Sequence, residues 1–154
     1  MKVTVCELSD DELNFIDDWN SLKIHLNQNK PDLLLLPEMP FSKWIASEKS
    51  VSNASQIESV EKHERWMTEL EQLNAKQIVY SKPVIAGSKF FNTAFVFEKG
   101  SGHCKIHTKS FFPEEPYFWE ATWYDHEEVK TFELLELGGI KIGVLLCTEM
   151  WFTE

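Results

Sequence analysis

No stretch of the sequence is apolar over the roughly 18 or more residues that a membrane-crossing helix needs. The opening Met1-Lys2-Val3-Thr4-Val5-Cys6 has no signal-peptide core and reads instead as a strand. Positive charge is scarce. Fifteen Lys and Arg against 25 Asp and Glu leave a net charge of −10, which argues against nucleic acid or an anionic membrane as a partner, because neither would find a basic patch. The three cysteines, Cys6, Cys104 and Cys147, are odd in number and far apart. They suit a reducing compartment better than a disulfide framework, so a soluble, cytoplasmic protein is expected. The five histidines show no metal-ligand spacing; His103 and His107 share a strand face with no third ligand. Repeats, linkers and low-complexity tracts are absent. What is present is a chain of 154 residues, 43% hydrophobic, long enough to bury one core and too apolar for a disordered tail.

Short apolar runs alternate with helical periodicity. Val3–Leu8 reads as a strand, and Trp19, Leu22 and Leu26 fall on one face of a helix that ends before Pro31. Leu33–Leu36, bounded by Pro31 and Pro37, has the continuous apolar character of a strand buried on both faces. The spacing of Val60, His63, Met67, Leu70 and Leu73 predicts one long amphipathic helix from Ile57 to about Gln77. Pro83–Ser88 is the next strand. Asn92–Glu98 and His103–Lys109 flank Lys99-Gly100-Ser101-Gly102 as a hairpin. Ser110–Glu128 is a long loop rich in aromatics and acids, a kind of segment that is often functional. Thr131–Leu137 and Ile140–Leu146 pair across Gly138-Gly139.

The end of that last strand carries the strongest chemical signal. Cys147 follows Leu146, and Thr148-Glu149-Met150-Trp151-Phe152 reads as the start of a helix. A nucleophile on such a turn is exposed, with the next backbone N–H available to a developing oxyanion. Glu38 and Lys109 also stand at strand ends, which in an α/β sheet converge on one rim. The trio has a chemical logic. A carboxylate can take the thiol proton, and an ammonium can balance the charge formed when a thiolate attacks a carbonyl or nitrile.

Leu33-Leu34-Leu35-Leu36-Pro37-Glu38-Met39-Pro40-Phe41, then Lys109-Ser110-Phe111-Phe112-Pro113 through Phe118-Trp119-Glu120-Ala121-Thr122-Trp123-Tyr124, then Gly143-Val144-Leu145-Leu146-Cys147-Thr148-Glu149-Met150-Trp151-Phe152 resemble, in order, the three signature blocks of the nitrilase superfamily, the carbon-nitrogen hydrolases. Asn92-Thr93-Ala94-Phe95-Val96-Phe97 resembles the hairpin that precedes the family's lysine. The resemblance implies a Glu-Lys-Cys triad: Glu38 as general base, Lys109 as oxyanion-stabilising cation and Cys147 as nucleophile, with the Thr148 backbone N–H in the oxyanion hole. Glu120, eleven residues after Lys109, matches a second glutamate of the branch nearest the N-carbamoyl amidohydrolases and would orient Lys109 or the water. Lys105-Ile106-His107 imitates the family's Lys-x-His and competes with Lys109. Strand alternation puts residues 105 and 109 on the same side, whereas register favours Lys109, because only from there do Pro113, Glu120 and Tyr124 align. Phe111 stands where the family usually has histidine.

The fold implied is α+β, a four-layer α-β-β-α sandwich of the carbon-nitrogen hydrolase type. The chain is expected to form one such domain over 1–154, holding roughly its first half and incomplete after the cysteine. The reaction implied is hydrolysis of a small-molecule amide, N-carbamoyl group or nitrile, without metal or organic cofactor, in a homo-oligomer. Acyl transfer to an amine is the neighbouring possibility. An inactive truncated chain that self-associates, retaining the catalytic residues as a structural or interaction protein, is the alternative of a different class. Plainer readings stand beside these. A lone cysteine in an apolar strand is usually a small buried hydrophobe, the reading given to Cys6 and Cys104. Lys109 alone would read as a solvated strand-end lysine. Trp119, Trp123 and Tyr124, with Phe118, serve equally as packing or as the apolar wall of a substrate pocket.

Overall fold

The computed structural model describes residues 1–127 and 133–151. Strands β1 (Val3–Val5), β2 (Leu33–Leu35), β3 (Gln77–Ala86), β4 (Lys89–Glu98) and β5 (Gly102–Thr108) form one sheet in that order. β1, β2 and β3 run parallel; β4 and β5 return antiparallel. The parallel pairings require crossovers, supplied by helix α1 (Glu12–Asn29) and helix α2 (Asn53–Met67). A four-residue helix, α3 (Glu120–Trp123), and a separate hairpin, β6 (Leu135–Leu137) with β7 (Ile140–Ile142), complete the mixed α+β fold.

Local chemistry sets the helix ends. The Asp11 side chain accepts from the Asn14 N–H at the start of α1. At its end Lys30 turns to φ 46° just before Pro31, and its N–H donates to Leu26 O. Ser52 caps α2 by accepting from the Ser55 N–H. The long helix expected up to Gln77 stops at Met67 and tightens into a 3₁₀ turn, Thr68–Gln72. Leu70 and Leu73 are buried as their spacing predicts. From Gln77 the β-branched and aromatic run Ile78-Val79-Tyr80 enters the sheet between β2 and β4 instead. Of the strand expected at Pro83–Ser88, Pro83–Ala86 is thus the far part of a ten-residue strand, and Gly87-Ser88 form the turn into β4.

Alternation along the strands divides the core. On one face Phe15, Trp19, Leu22 and Leu26 of α1 pack with Leu34, Ile78, Tyr80 and Phe97. Phe41 and Trp66 join them in a cage of rings, with centroids 4.8 Å apart for Phe15 and Trp66 and 5.4 Å for Trp19 and Trp66. Burying such side chains contributes about 1.5–3 kcal/mol each. On the other face lie Leu33, Val79, Ala94, Val96 and Ile106, covered by Leu135 and Leu146. The second pairing expected after Glu128 is present but shorter. β7 ends at Ile142, and 143–146 reaches Cys147 without sheet pairing; Thr131 and Phe132, expected in the first of these strands, lie outside the described residues.

Among the described residues, no helix is long and apolar enough to cross a membrane.

Candidate active site

Glu38 stands three residues beyond β2. The Leu36 N–H still donates to Val79 O (2.9 Å), so the chain stays on the sheet until Pro37 turns it away. Met39 then takes φ 49°, a conformation costly for a residue with a Cβ. The turn is held from both sides: the Met39 N–H donates to Ser81 Oγ (2.9 Å), and the Phe41 N–H to His63 Nε2 (3.4 Å). His63 donates through Nδ1 to Ser59 O at 2.8 Å. Burial depresses its pKa to about 4, so the ring is neutral and Nε2 is free to accept. The glutamate is thus presented by a braced turn.

Lys109 follows β5, its N–H donating to Asn92 O at 2.9 Å. The side chain is wholly buried, and its ammonium lies 2.8 Å from Glu38 Oε1 and 2.6 Å from Glu120 Oε2. Asn92 Nδ2 donates to the same Glu38 oxygen at 2.7 Å. Glu120 opens α3, which is seated by the Trp119 N–H on Ala46 O (2.8 Å) and the Ala121 N–H on Pro113 O (3.2 Å). The buried Glu120 and the partly exposed Glu38 share one buried ammonium, and the shifts follow. Burial, then the charge of Glu38, raises Glu120 to about 7, with Lys109 pulling the other way. Burial works against the Lys109 ammonium, but Glu38 and Glu120 together outweigh it and hold its pKa above the ordinary lysine value.

Cys147 opens a 3₁₀ turn, Cys147–Trp151, with φ 46°. Among described residues other than glycine, Met39 and Cys147 are two of only four with positive φ; each brackets the same charged cluster. Cys147 is exposed to solvent. Partial burial of the thiol and the negative charge of Glu38 raise its pKa, and Lys109 lowers it. Such a thiol keeps its proton at neutral pH until a base removes it. The next residue, Thr148, is buried, and the first N–H groups of a helical turn lack partners within the turn.

Lys105 is elsewhere. Between Ala94 and Phe95 the pairing of β4 with β5 shifts by one, so that Ala94 faces His107 while Phe95 faces Lys105. This bulge makes Ile106 an extra residue and breaks the period of two. Residues 105 and 109 therefore do not share a side, contrary to strict alternation: Lys105 is exposed and pairs with Glu127. The same shift separates His103, whose ring packs on Phe97 and Tyr80, from His107. No group of three His, Cys, Asp or Glu among the described residues is placed to hold a metal ion. Cys6 is partly buried, and burial raises its thiol to about 11. Cys104, expected inside, is exposed, because it lies on the outer edge strand.

The aromatic residues divide. Trp123 is buried, with Nε1 donating to Glu48 O at 2.6 Å. Tyr124 is buried and stacked on Phe90, centroids 5.0 Å apart, and on Phe112. Burial first, then the nearby charges of Glu38 and Glu120, raises its hydroxyl well above the ordinary tyrosine value. Tyr124 therefore backs the carboxylates. Trp119 is partly exposed, with Lys49 Nζ 4.4 Å from its ring centroid. A cleft of about 1060 Å³ between α1 and α2, over Phe15, Trp19, Phe41 and Trp66, is lined by none of Glu38, Lys109, Glu120 and Cys147.

Two polar residues of the site carry no role in the sequence reading. Asn92 is fully buried and supports Glu38 and Lys109 at once; its place in the hairpin block before the lysine is the available signal. Glu149 is buried and joins the Cys147 turn to the Lys109 segment. Its only local signal is half a capping box, a glutamate three residues after Leu146.

No protein-family model and no curated protein matches the chain. Solved structures do. A carbon-nitrogen hydrolase from Helicobacter pylori G27 superposes with a TM-score of 0.78 at 21% identity, over 98% of this chain and 53% of that one. A glutamine-dependent NAD+ synthetase from Acinetobacter baumannii gives 0.73 at 19% identity, over 97% and 28%. A mutant of the amidase from Nesterenkonia sp. AN1, which shows Michael addition of acrylamide at its active-site cysteine, gives 0.67 at 15% identity, over 97% and 58%. The chain spans about half the length of the hydrolase and the amidase, and over that span it has the carbon-nitrogen hydrolase fold.

Proposed function

We propose that the chain is part of a thiol-dependent carbon-nitrogen hydrolase of the nitrilase superfamily, forming one domain over 1–154 that is incomplete as a sandwich. The observation that carries this reading is the Lys109 ammonium, buried between Glu38 and Glu120, with the charges of all three acting on the Cys147 thiol. Burying an ammonium and a carboxylate seldom adds net stability even when they are paired, and such perturbed clusters concentrate at functional sites.

In the proposed reaction Glu38 takes the Cys147 proton as sulfur attacks the carbon of an amide or N-carbamoyl group. The carbonyl electron pair moves to oxygen, where the Lys109 ammonium and the Thr148 N–H hold it. Collapse of the tetrahedral adduct breaks the carbon–nitrogen bond, and Glu38 returns its proton to the departing ammonia or amine. The thioester is then hydrolysed: Glu38 removes a proton from water, the hydroxide adds, and Cys147 leaves with that proton. Glu120 keeps the ammonium aimed, and its own pKa near 7 lets the cluster take up a proton close to neutrality. A nitrile would pass through a thioimidate on the same sulfur. Three reduced, unpaired thiols fit a cytoplasmic setting, and a homo-oligomer is the assembly proposed.

The test is ammonia release from the purified, mass-verified chain with a panel of small amides, N-carbamoyl compounds and nitriles. The hydrolase reading expects release that Cys147→Ala abolishes. Release unaffected by Cys147→Ala would contradict the mechanism. A folded chain inert to the whole panel would favour the second reading, an inactive structural chain. The thin cover over one sheet face supports that reading, with Val5 71% exposed. Product formed only when a second amine is supplied would favour acyl transfer.

A further inference from the structure

The proposed mechanism leaves one buried acid unused. Glu149 is 2% exposed, and its carboxylate accepts from three donors. Oε1 takes the Ser110 N–H at 2.8 Å; Oε2 takes the Leu146 N–H at 2.9 Å and His107 Nε2 at 2.7 Å. His107 and Ser110 stand on either side of Lys109, and Leu146 directly precedes Cys147. The Glu149 N–H also donates to Leu146 O at 3.0 Å, so residue and side chain close the turn reciprocally, as a glutamate does in a capping box. Burial alone would raise this carboxyl, but His107 and the two backbone donors outweigh it and keep it ionised.

The surroundings do not call for a charge. Leu146, Ile106 and Ala94 make this side of the sheet apolar, and an apolar residue in place of Glu149 would take away the acceptor of the buried Ser110 and Leu146 N–H groups. The carboxylate ties its own turn to the segment 107–110, 39 to 42 residues away in sequence, by directional bonds. The turn it holds contains the strained Cys147, at φ 46°, which relaxes if the closure is lost.

We infer that Glu149 is a positioning residue that locks the Cys147 turn to the segment bearing Lys109 and thereby sets how strongly the ammonium acts on the thiol. The inference rests on the reading of Cys147 and Lys109 as one site, but it does not require turnover.

The experiment is site-resolved alkylation of the full chain with iodoacetamide across pH, each cysteine followed by mass spectrometry and Cys104 serving as the reference thiol outside the site. Lys109→Met in the wild-type background should slow Cys147 alkylation about tenfold at pH 8, the effect of a one-unit rise in a thiol pKa. With Glu149→Gln, which offers one acceptor where the carboxylate offers two, the same lysine change should matter about twofold or less. An undiminished lysine effect in folded Glu149→Gln would overturn the inference. Should that variant fail to fold, His107→Asn drops one of the three donors and keeps both backbone bonds. It should give an intermediate lysine effect, and an unchanged effect in folded His107→Asn would equally overturn the inference. Absence of Cys147-dependent hydrolysis would sink the hydrolase reading while leaving this measurement interpretable.

Discussion

The two faces of the five-stranded sheet are built on opposite plans. Under α1 and α2 the interior is a cage of rings and aliphatic chains, Phe15, Trp19, Phe41 and Trp66 against Leu34, Ile78 and Tyr80. The other face and its rim bury Lys109, Glu120, His107 and Glu149, each at most 2% exposed, beside a modest apolar patch closed by Leu135 and Leu146. The first plan maximises area removed from water. The second removes charges from water, which seldom adds net stability even when each is paired. Stability therefore resides mainly under the helices, while the opposite face gives its buried volume to Lys109, Glu120, His107 and Glu149.

If the faces are divided in this way, substitutions on each should be felt in different assays. Trp19→Ala, in the middle of the ring cage, should cost about 3–5 kcal/mol in urea unfolding, while Cys147 alkylation in the folded fraction stays as in the wild type. A change in thiol reactivity would mean that the two faces are not separable. Across the sheet, Lys109→Ala should lower Cys147-dependent turnover by about 10² or more, the scale of a lost oxyanion donor. Asn92→Ala removes the donor that shares Glu38 with Lys109 and should weaken turnover less than Lys109→Ala does, measured in the same assay.

The pH response separates the faces through opposite signs. His63, behind the ring cage, has its pKa lowered to about 4. From there to about 6.5 the unfolded chain holds a proton that the folded one lacks, so this residue makes stability rise with pH. Glu120, in the site, has its pKa raised to about 7. Between about 4.5 and 7 the folded chain holds the extra proton, so this residue makes stability fall as pH rises. Glu120→Gln should therefore leave a steeper rise of stability over pH 5–7 than the wild type shows. Urea midpoints at several pH values check it, and identical slopes would mean that Glu120 titrates normally. The smallest effect belongs to Lys105→Ala: an exposed pair with Glu127 is worth about 0.2–1 kcal/mol at most, and turnover should not change.

Much of the site is legible in the sequence because its residues stand at ends of elements that the apolar pattern marks. Leu33–Leu36 closed by Pro37 announces Glu38, and the spacing from Lys109 to Pro113, Glu120 and Tyr124 selects the lysine that the fold buries. Alternation fails at Ile106, since an extra strand residue leaves no mark in a run such as Cys104-Lys105-Ile106-His107. The end of α2 is hidden because Leu70 and Leu73 keep the helical period through the 3₁₀ turn. Glu149 escapes for a different reason: its partners are distant in sequence, and a glutamate in a Thr-Glu-Met-Trp run looks like any surface acid.

Everything proposed for the site depends on the buried Lys109, held between the buried Glu120 and the partly exposed Glu38, serving Cys147. Trapping the acyl-enzyme would decide the matter. The chain would be mixed with a reactive small amide or N-carbamoyl compound, quenched in acid, and the adduct located by peptide mass. The expected product is a thioester-linked acyl group on Cys147 that persists in Lys105→Ala and is lost or much slower to form in Lys109→Ala. An acyl group on another residue, or one on Cys147 that forms as fast without the Lys109 ammonium, would show the mechanism to be wrong.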